Sequence, residues 1–380
     1  MQVIYWGKEK TNAIHEQFNK NSIKKILLVT GKNSYNNSTA SNFINELFKD
    51  YDYIRFYDFD KNPKEDDLLK GIDFYNSNNC DAIVAIGGGS VIDMAKLIKA
   101  FCCSEENTHD LILNNAVTPN NIPLCAIPTT SGSGSESTHF AVAYVDNKKF
   151  SVSNNSLLPD IVFLVPELTY SMSSYLTAIT GLDAFSQAIE SWWSINSTKE
   201  SIKYSKQAVK KIWDNLENAV HFEDHNASSE MLHAANIAGK AINIAKTTAP
   251  HALSYGFTVH CNLPHGNAVS LFLPYFIHLH MNVNESNSND KRGVDWIKNT
   301  ISEISATLEI KKEELAQKIA VFINKCNVSI NFKELGISKS LFNKAIADIN
   351  LERLNNNPVK IDLNALDEIY NSNLNKKRYR

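Results

Sequence analysis

The chain lacks each of the features that would remove it from the ordinary globular class. Its six cysteines, at 80, 102, 103, 125, 261 and 326, form no Cys-x-x-Cys pair and no framework of a secreted scaffold, so they read as reduced, mostly buried thiols. The opening MQVIYWGKEK has no basic-then-apolar leader and no apolar run approaches the length of a membrane span. Both absences predict a cytoplasmic protein without a membrane partner. A formal net charge of −3 over 380 residues argues against nucleic acid as a partner, and the basic NKKRYR at 375–380 reads as a short solvated tail. No internal repeat is evident, and neither a G-x-G-x-x-G fingerprint nor a P-loop is present.

What is there is a chain with 43% hydrophobic and 21% charged residues, long enough for two domains. Its character changes near residue 165. Before that point the β-rich runs KKILLVT (24–30), YDYIRFYDF (51–59), CDAIVAI (80–86) and IPLCAIPTT (122–130) alternate with polar, helix-like segments. Such alternation predicts a parallel sheet covered by helices over 1–165. After it, SYLTAITGLDAFSQAIESWWS, ESIKYSKQAVKKIWDNLENAV and SSEMLHAANIAGKAINIA carry apolar residues at steps of three and four, which predicts a helical domain over 166–380. NVNESNSNDKRG (282–293) reads as a long mobile connection.

Two turns carry the first chemistry. IGGGSVIDMAK (86–96) follows an apolar run and precedes an amphipathic segment, so Gly87, Gly88 and Gly89 remove every Cβ from a strand-to-helix turn, and Ser90 starts the helix. A pyrophosphate fits such a turn, although a turn built for tight packing has the same composition. PTTSGSGSEST (128–138) ends another apolar strand with hydroxyls and glycines and favours the nucleotide reading, because two such turns can line one crevice at the carboxyl edge of the sheet. The cofactor candidates are Gly87, Gly88, Gly89, Ser90 and Asp93 in the first turn, and Thr129, Thr130 and Ser133 in the second.

The second chemistry is a carboxylate with two imidazoles. Asp183 in GLDAFSQAIES, with His251 and His265 in TTAPHALSYGFTVHCNLPHGNAVSL, offers one oxygen and two nitrogen donors. That set suits divalent iron or zinc with positions left open for substrate. Near it, Lys246, Thr247 and Thr248 supply a cation and two hydroxyls, which suit an anionic substrate head, although composition alone favours a solvated lysine and capping or packing threonines. His260 is either a proton relay or a structural residue, His139 either a residue facing the cofactor or a structural one, and His278 and His280 core or interface residues.

GGGSVIDMAK, PTTSGSGSE, LLPD, the Asp183 helix and HALSYGFTVHCNLPHG, in that order, resemble the iron-containing (group III) alcohol dehydrogenase family over essentially the whole chain. The resemblance implies an N-terminal α/β dinucleotide-binding domain and an all-α C-terminal metal domain, the fold shared with dehydroquinate synthase. It implies catalysis in the cleft between the domains, reversible hydride transfer between a nicotinamide and an alcohol or aldehyde, iron before zinc, and a homodimer. Asp183, His251 and His265 match three of the family's four ligands. Where the family usually has a histidine, four residues after the aspartate, this chain has Gln187, which leaves ligation by Gln187, replacement by water, or loss of the metal.

A narrower resemblance combines DAFSQAIESWWSINST with AKTTAPHALSY and points to the phosphonoacetaldehyde reductase subgroup, of phosphonate biosynthesis. It implies reduction of phosphonoacetaldehyde to 2-hydroxyethylphosphonate, with Lys246, Thr247 and Thr248 at the phosphonate. Where NAD-preferring members often carry an aspartate, the chain has Gly31, followed by Lys32 and Ser34, which favours NADP(H) over NAD(H). A general alcohol or lactaldehyde-type reductase, a dehydroquinate synthase-like lyase and a metal-free scaffold remain the alternatives.

Overall fold

The computed structural model describes residues 2–374 apart from 33, 37, 38 and 147, so the basic tail lies outside the described residues. The chain divides into two compact units, Met1–Met172 and Ser173–Arg380. The first runs past residue 165: Leu168, in the short helical turn Pro166–Leu168, is buried in the same core as Phe163 and Val165.

The first unit has the strands β1 (Val3–Trp6), β2 (Lys25–Thr30), β3 (Asp52–Phe56), β4 (Ala82–Gly87), β5 (Leu124–Pro128), β6 (Phe140–Val145), β7 (Lys148–Ser153) and β8 (Ile161–Leu164). Its helices are α1 (Asn12–Lys20), α2 (Ala40–Leu47), α3 (Glu65–Ser77), α4 (Gly89–Phe101) and α5 (Thr108–Leu113). Six strands form one sheet in the order β1-β8-β5-β4-β2-β3, with every pairing parallel, as the alternation of runs predicts. β6 and β7 form a separate antiparallel hairpin.

The continuous apolar runs are explained by burial on both faces, since helices cover both sides of a parallel sheet. Leu27, Val29, Ile83, Ala85, Leu124 and Ala126 pack with Leu68 of α3 and Ile92 and Leu97 of α4. The alternate residues Ile26, Leu28, Val84, Ile86, Cys125 and Ile127 pack with Ile14 and Phe18 of α1 and Ile44 and Leu47 of α2. The chain leaves β2 for β3 on one side and returns to β4 on the other. The carboxyl ends of β2 and β4 therefore flank the point where strand order reverses, the place where open α/β sheets bind ligands.

The second unit is helical among the described residues: α6 (Ser174–Trp193), α7 (Lys199–His221), α8 (His225–Ala245), α9 (Ala249–His260), α10 (His265–Ser270), α11 (Leu273–Met281), α12 (Val294–Thr307), α13 (Leu315–Lys325), α14 (Lys339–Ile346), α15 (Leu351–Asn355) and α16 (Leu363–Leu374). Ser173 starts α6 by accepting a hydrogen bond from the Leu176 amide, and Thr198 and Ser201 form a reciprocal cap on α7. From Gly181 to Trp193 α6 is buried on all sides, which makes it the central helix of the bundle. Trp192, Trp193 and Phe185 fill the core around it.

The segment 282–293 corrects its reading as a mobile connection. Asn289 donates its amide to Pro358 O and its side chain to Asn355 O and Asn357 O. Arg292 clasps the buried Asp290 and reaches Ser194 O and Ser197. The polar residues are spent on tertiary hydrogen bonds.

Candidate active site

The turns after β2, β4 and β5 stand side by side because those strands are neighbours in the sheet. The Thr129 amide donates to Gly87 O at 3.0 Å, carrying the pairing one residue beyond β4 and β5. A Cβ on Gly88 would lie 3.3 Å from Thr130 Oγ1, and one on Gly89 would lie 2.7 Å from Ser133 Oγ. The glycines thus keep open the space between the two turns. Among the described residues no side chain caps the start of α4 at Gly88, and the positive end of a helix suits an anionic phosphate.

Asp93 and Lys96, one turn further along α4, hold the second turn in place. Asp93 accepts from Ser135 Oγ at 2.5 Å and from the Val142 amide at 3.1 Å. That redirects the expectation for Asp93 from cofactor contact to support of the turn. The fully buried Lys96 ammonium donates to Ser135 O (2.5 Å), Thr138 O (2.8 Å), Thr138 Oγ1 (2.9 Å) and Phe140 O (2.9 Å). Burial pushes its pKa down to about 8, against the opposing pull of Asp93 and Glu136.

At the end of β2, Gly31 leaves room for Ser34 Oγ, which a Cβ would strike, while Lys32 is exposed. Arg55, at the end of β3, was not singled out from the sequence. Its guanidinium donates to Thr30 Oγ1 (2.7 Å), Gly31 O (3.0 Å) and Lys32 O (3.2 Å), and lies over the rings of Tyr35 and Tyr57 at 4.3 and 4.4 Å.

In the second unit three elements bring three donors together. Asp183 comes from the middle of α6, His251 from the first turn of α9, and His265 from the start of α10. Asp183 Oδ1 lies 3.3 Å from His251 Nε2 and 3.9 Å from His265 Nε2. Bonds of about 2.1 Å at tetrahedral angles would place neighbouring donors about 3.4 Å apart, so the spacing fits one divalent ion. Among the described residues this is the one such group of His, Cys, Asp and Glu side chains, with all three donor atoms within 4.8 Å of one another. Gly266 makes the approach possible: a Cβ there would overlap the Ile179 carbonyl oxygen of α6.

The field at this point favours a cation. Burial alone would expel charge from His251, but the Glu190 carboxylate, with hydrogen bonds to Asp183 and Glu190, raises its pKa to about 10. Asp183 and His251 are buried, whereas the His265 side chain is 37% exposed and forms the open side. Gln187 is buried one turn after Asp183.

Glu190 is the residue that sequence reasoning missed. It lies fully buried seven residues after Asp183, and its Oε1 meets His251 Nδ1 at 2.5 Å. The available signal was the face of α6, on which 183, 187 and 190 fall together.

The substrate candidates separate. Thr248 is fully buried; its hydroxyl accepts from Trp193 Nε1 at 2.9 Å and donates to Glu190 Oε2 at 3.0 Å, so it is corrected from substrate contact to internal hydrogen bonding. Thr247 is also buried, with its carbonyl held by Asn356 Nδ2. Lys246 is half-buried, at a positive φ of 59° where α8 ends. His260 pairs with Asp348, His139 packs edge-on against Phe140, and His278 is exposed. Burial drives His280 down to a pKa of about 3, with its ring 4.4 Å from Trp193, a core residue as read from the sequence.

Family models decide what this arrangement belongs to. The iron-containing alcohol dehydrogenase model matches residues 2–166, and that for the C-terminal part of the Fe-containing alcohol dehydrogenase family matches 177–374. The chain belongs to the iron-containing alcohol dehydrogenase family. A probable alcohol dehydrogenase of Escherichia coli is 33% identical over 55% of this chain and 53% of its own length. A phosphonoacetaldehyde reductase of Streptomyces viridochromogenes is 29% identical over 76% of this chain and 75% of its own. The crystal structure of a sulfoacetaldehyde reductase from Bifidobacterium kashiwanohense, in complex with NAD+, superposes with a TM-score of 0.88 at 27% identity, covering 98% of this chain and 97% of that one. The chain spans about half the length of several curated relatives it matches, at 53%, 50% and 53%. Within the iron-containing family, the present chain combines a three-donor cluster with a glutamine on the ligand helix. No described helix is long and apolar enough to cross a membrane.

Proposed function

We propose that the chain is a metal-dependent NAD(P)H aldehyde reductase acting on a short aldehyde with an anionic tetrahedral group, phosphonoacetaldehyde first, which it reduces to 2-hydroxyethylphosphonate. The observation that carries this reading is the convergence of Asp183 Oδ1 with the Nε2 atoms of His251 and His265 at 3.3 and 3.9 Å. When bound, divalent iron or zinc supplies a Lewis acid for the carbonyl oxygen and the nicotinamide supplies the hydride.

The chain's own residues hold and orient. Asp183, His251 and His265 hold the ion, and Gln187 either offers its side-chain oxygen or leaves that position to water. Gly87, Gly88, Gly89 and Ser90, with Thr129, Thr130 and Ser133, cradle the pyrophosphate. At the end of β2, where no aspartate stands, the exposed Lys32 and the Arg55 guanidinium supply positive charge for a 2′-phosphate, which supports NADPH over NADH. Lys246 is the cation proposed for the substrate's anionic head, with Thr247 beside it.

Similarity to the phosphonoacetaldehyde reductase over three quarters of both chains supports the substrate. The TM-score of 0.88 to the sulfoacetaldehyde reductase favours a second reading, in which a sulfonate takes the place of the phosphonate. The test is NADPH oxidation by metal-reconstituted protein with phosphonoacetaldehyde, sulfoacetaldehyde, lactaldehyde and propanal. Higher kcat/KM with either uncharged aldehyde than with both anionic ones would defeat the anionic-substrate reading.

A further inference from the structure

We propose that Glu190 is the positioning residue that builds the metal site, by tying the helix carrying Asp183 to the helix carrying His251. The inference rests on the metal reading above. An ionised carboxylate removed from water is tolerated only when its oxygens are filled with donors. Glu190, with no exposed surface, has four: His251 Nδ1 at 2.5 Å on Oε1, and the Thr248 amide at 2.7 Å, Thr248 Oγ1 at 3.0 Å and the His251 amide at 3.4 Å on Oε2.

Two of those donors are backbone amides at the start of α9. Thr248, the residue before that helix, makes no cap with its own side chain, so a carboxylate from α6 caps α9 instead. The hydrogen-bond directions follow from what each group can do. The indole N–H of Trp193 can only donate, so Thr248 Oγ1 accepts it and turns its own proton to Glu190. A carboxylate can only accept, so His251 carries a proton on Nδ1, and Nε2 is left to face Asp183 and His265. Trp193 and Glu190 both belong to α6, so the chain Trp193, Thr248, Glu190, His251 closes a loop from the ligand helix back to its partner ligand.

The test uses the full-length protein with Glu190→Gln, Thr248→Val and Asp183→Asn. Cobalt(II) affinity is measured by chelator competition, with the visible spectrum of the cobalt form; a single cooperative melt of the metal-free protein establishes folding. Glu190→Gln is expected to raise the cobalt Kd about 10- to 100-fold and to change the ligand-field bands. Thr248→Val, which removes one donor from the carboxylate, is expected to raise Kd about fivefold. Wild-type Kd and spectrum in both folded variants would overturn the proposal, and if Glu190→Gln does not fold, Thr248→Val decides by the same criterion. Loss of cobalt binding in Asp183→Asn alone would leave the metal reading standing without the role for Glu190. Unchanged binding in Asp183→Asn would remove the metal reading itself.

Discussion

Gly89 and Ser133 belong to different turns, yet a Cβ on the glycine would lie 2.7 Å from the serine hydroxyl. The contact records how tightly the two turns close around the start of α4. Alanine is better than glycine inside a helix by up to about 1 kcal/mol, so Gly89→Ala should not weaken α4 itself. The expected effect is on the cradle: Ser133 must shift to admit the new Cβ, and the NADPH Kd rises about tenfold or more, read by fluorescence titration. An unchanged Kd would place the pyrophosphate elsewhere.

Arg55 pins the loop after β2, and the proposed NADPH preference gives its charge a role that can be tested. Arg55→Met removes the guanidinium beside Gly31 O and Lys32 O, and with it the cation over the rings of Tyr35 and Tyr57. The kcat/KM with NADPH is expected to fall at least about tenfold further than that with NADH, in keeping with a charge-assisted phosphate contact. Equal losses with the two cofactors would assign Arg55 to loop support alone.

Lys96 gives a pH signature. Its folded pKa is lowered to about 8 from an ordinary 10.5, so between those values the unfolded chain holds more protons than the folded one. Stability from this site therefore rises as pH increases from about 8 to 10.5, by on the order of 3 kcal/mol, and is level below and above that window. Urea unfolding of the wild type and Lys96→Met across this range isolates the effect. The difference in unfolding free energy should move toward the wild type as pH rises; a constant difference would mean that the buried ammonium titrates normally.

How far the sequence could be read follows from whether a signal is local. β2, β3 and β5 lie within the apolar runs picked out by composition and β4 passes its run by one residue, and Asp183, His251 and His265 stood out because their residue types announce metal chemistry. β1 and β8 are only four residues each and pair with each other across most of the first unit, so neither carries a strong local pattern. The hairpin strand Phe140–Val145 alternates buried and half-buried residues in the fold, but its sequence is a continuous apolar run, so the alternation is not legible before the structure. Glu190 resembles any glutamate in a helix until α9 is seen to begin against it. Thr248 was placed at the substrate because a hydroxyl near a ligand suggests contact; only tertiary packing reveals that Trp193 and Glu190 already occupy it.

The central claim is that a divalent ion at Asp183, His251 and His265 is required for reduction of an anionic aldehyde. The most direct measurement is NADPH oxidation with phosphonoacetaldehyde before and after chelation, followed by stepwise return of iron(II) or zinc(II), with metal content measured on the same samples. The expected result is loss of turnover on stripping and recovery in proportion to about one bound ion per chain, with neither metal content nor activity restored in Asp183→Asn. Undiminished turnover by protein shown to be free of metal would contradict it.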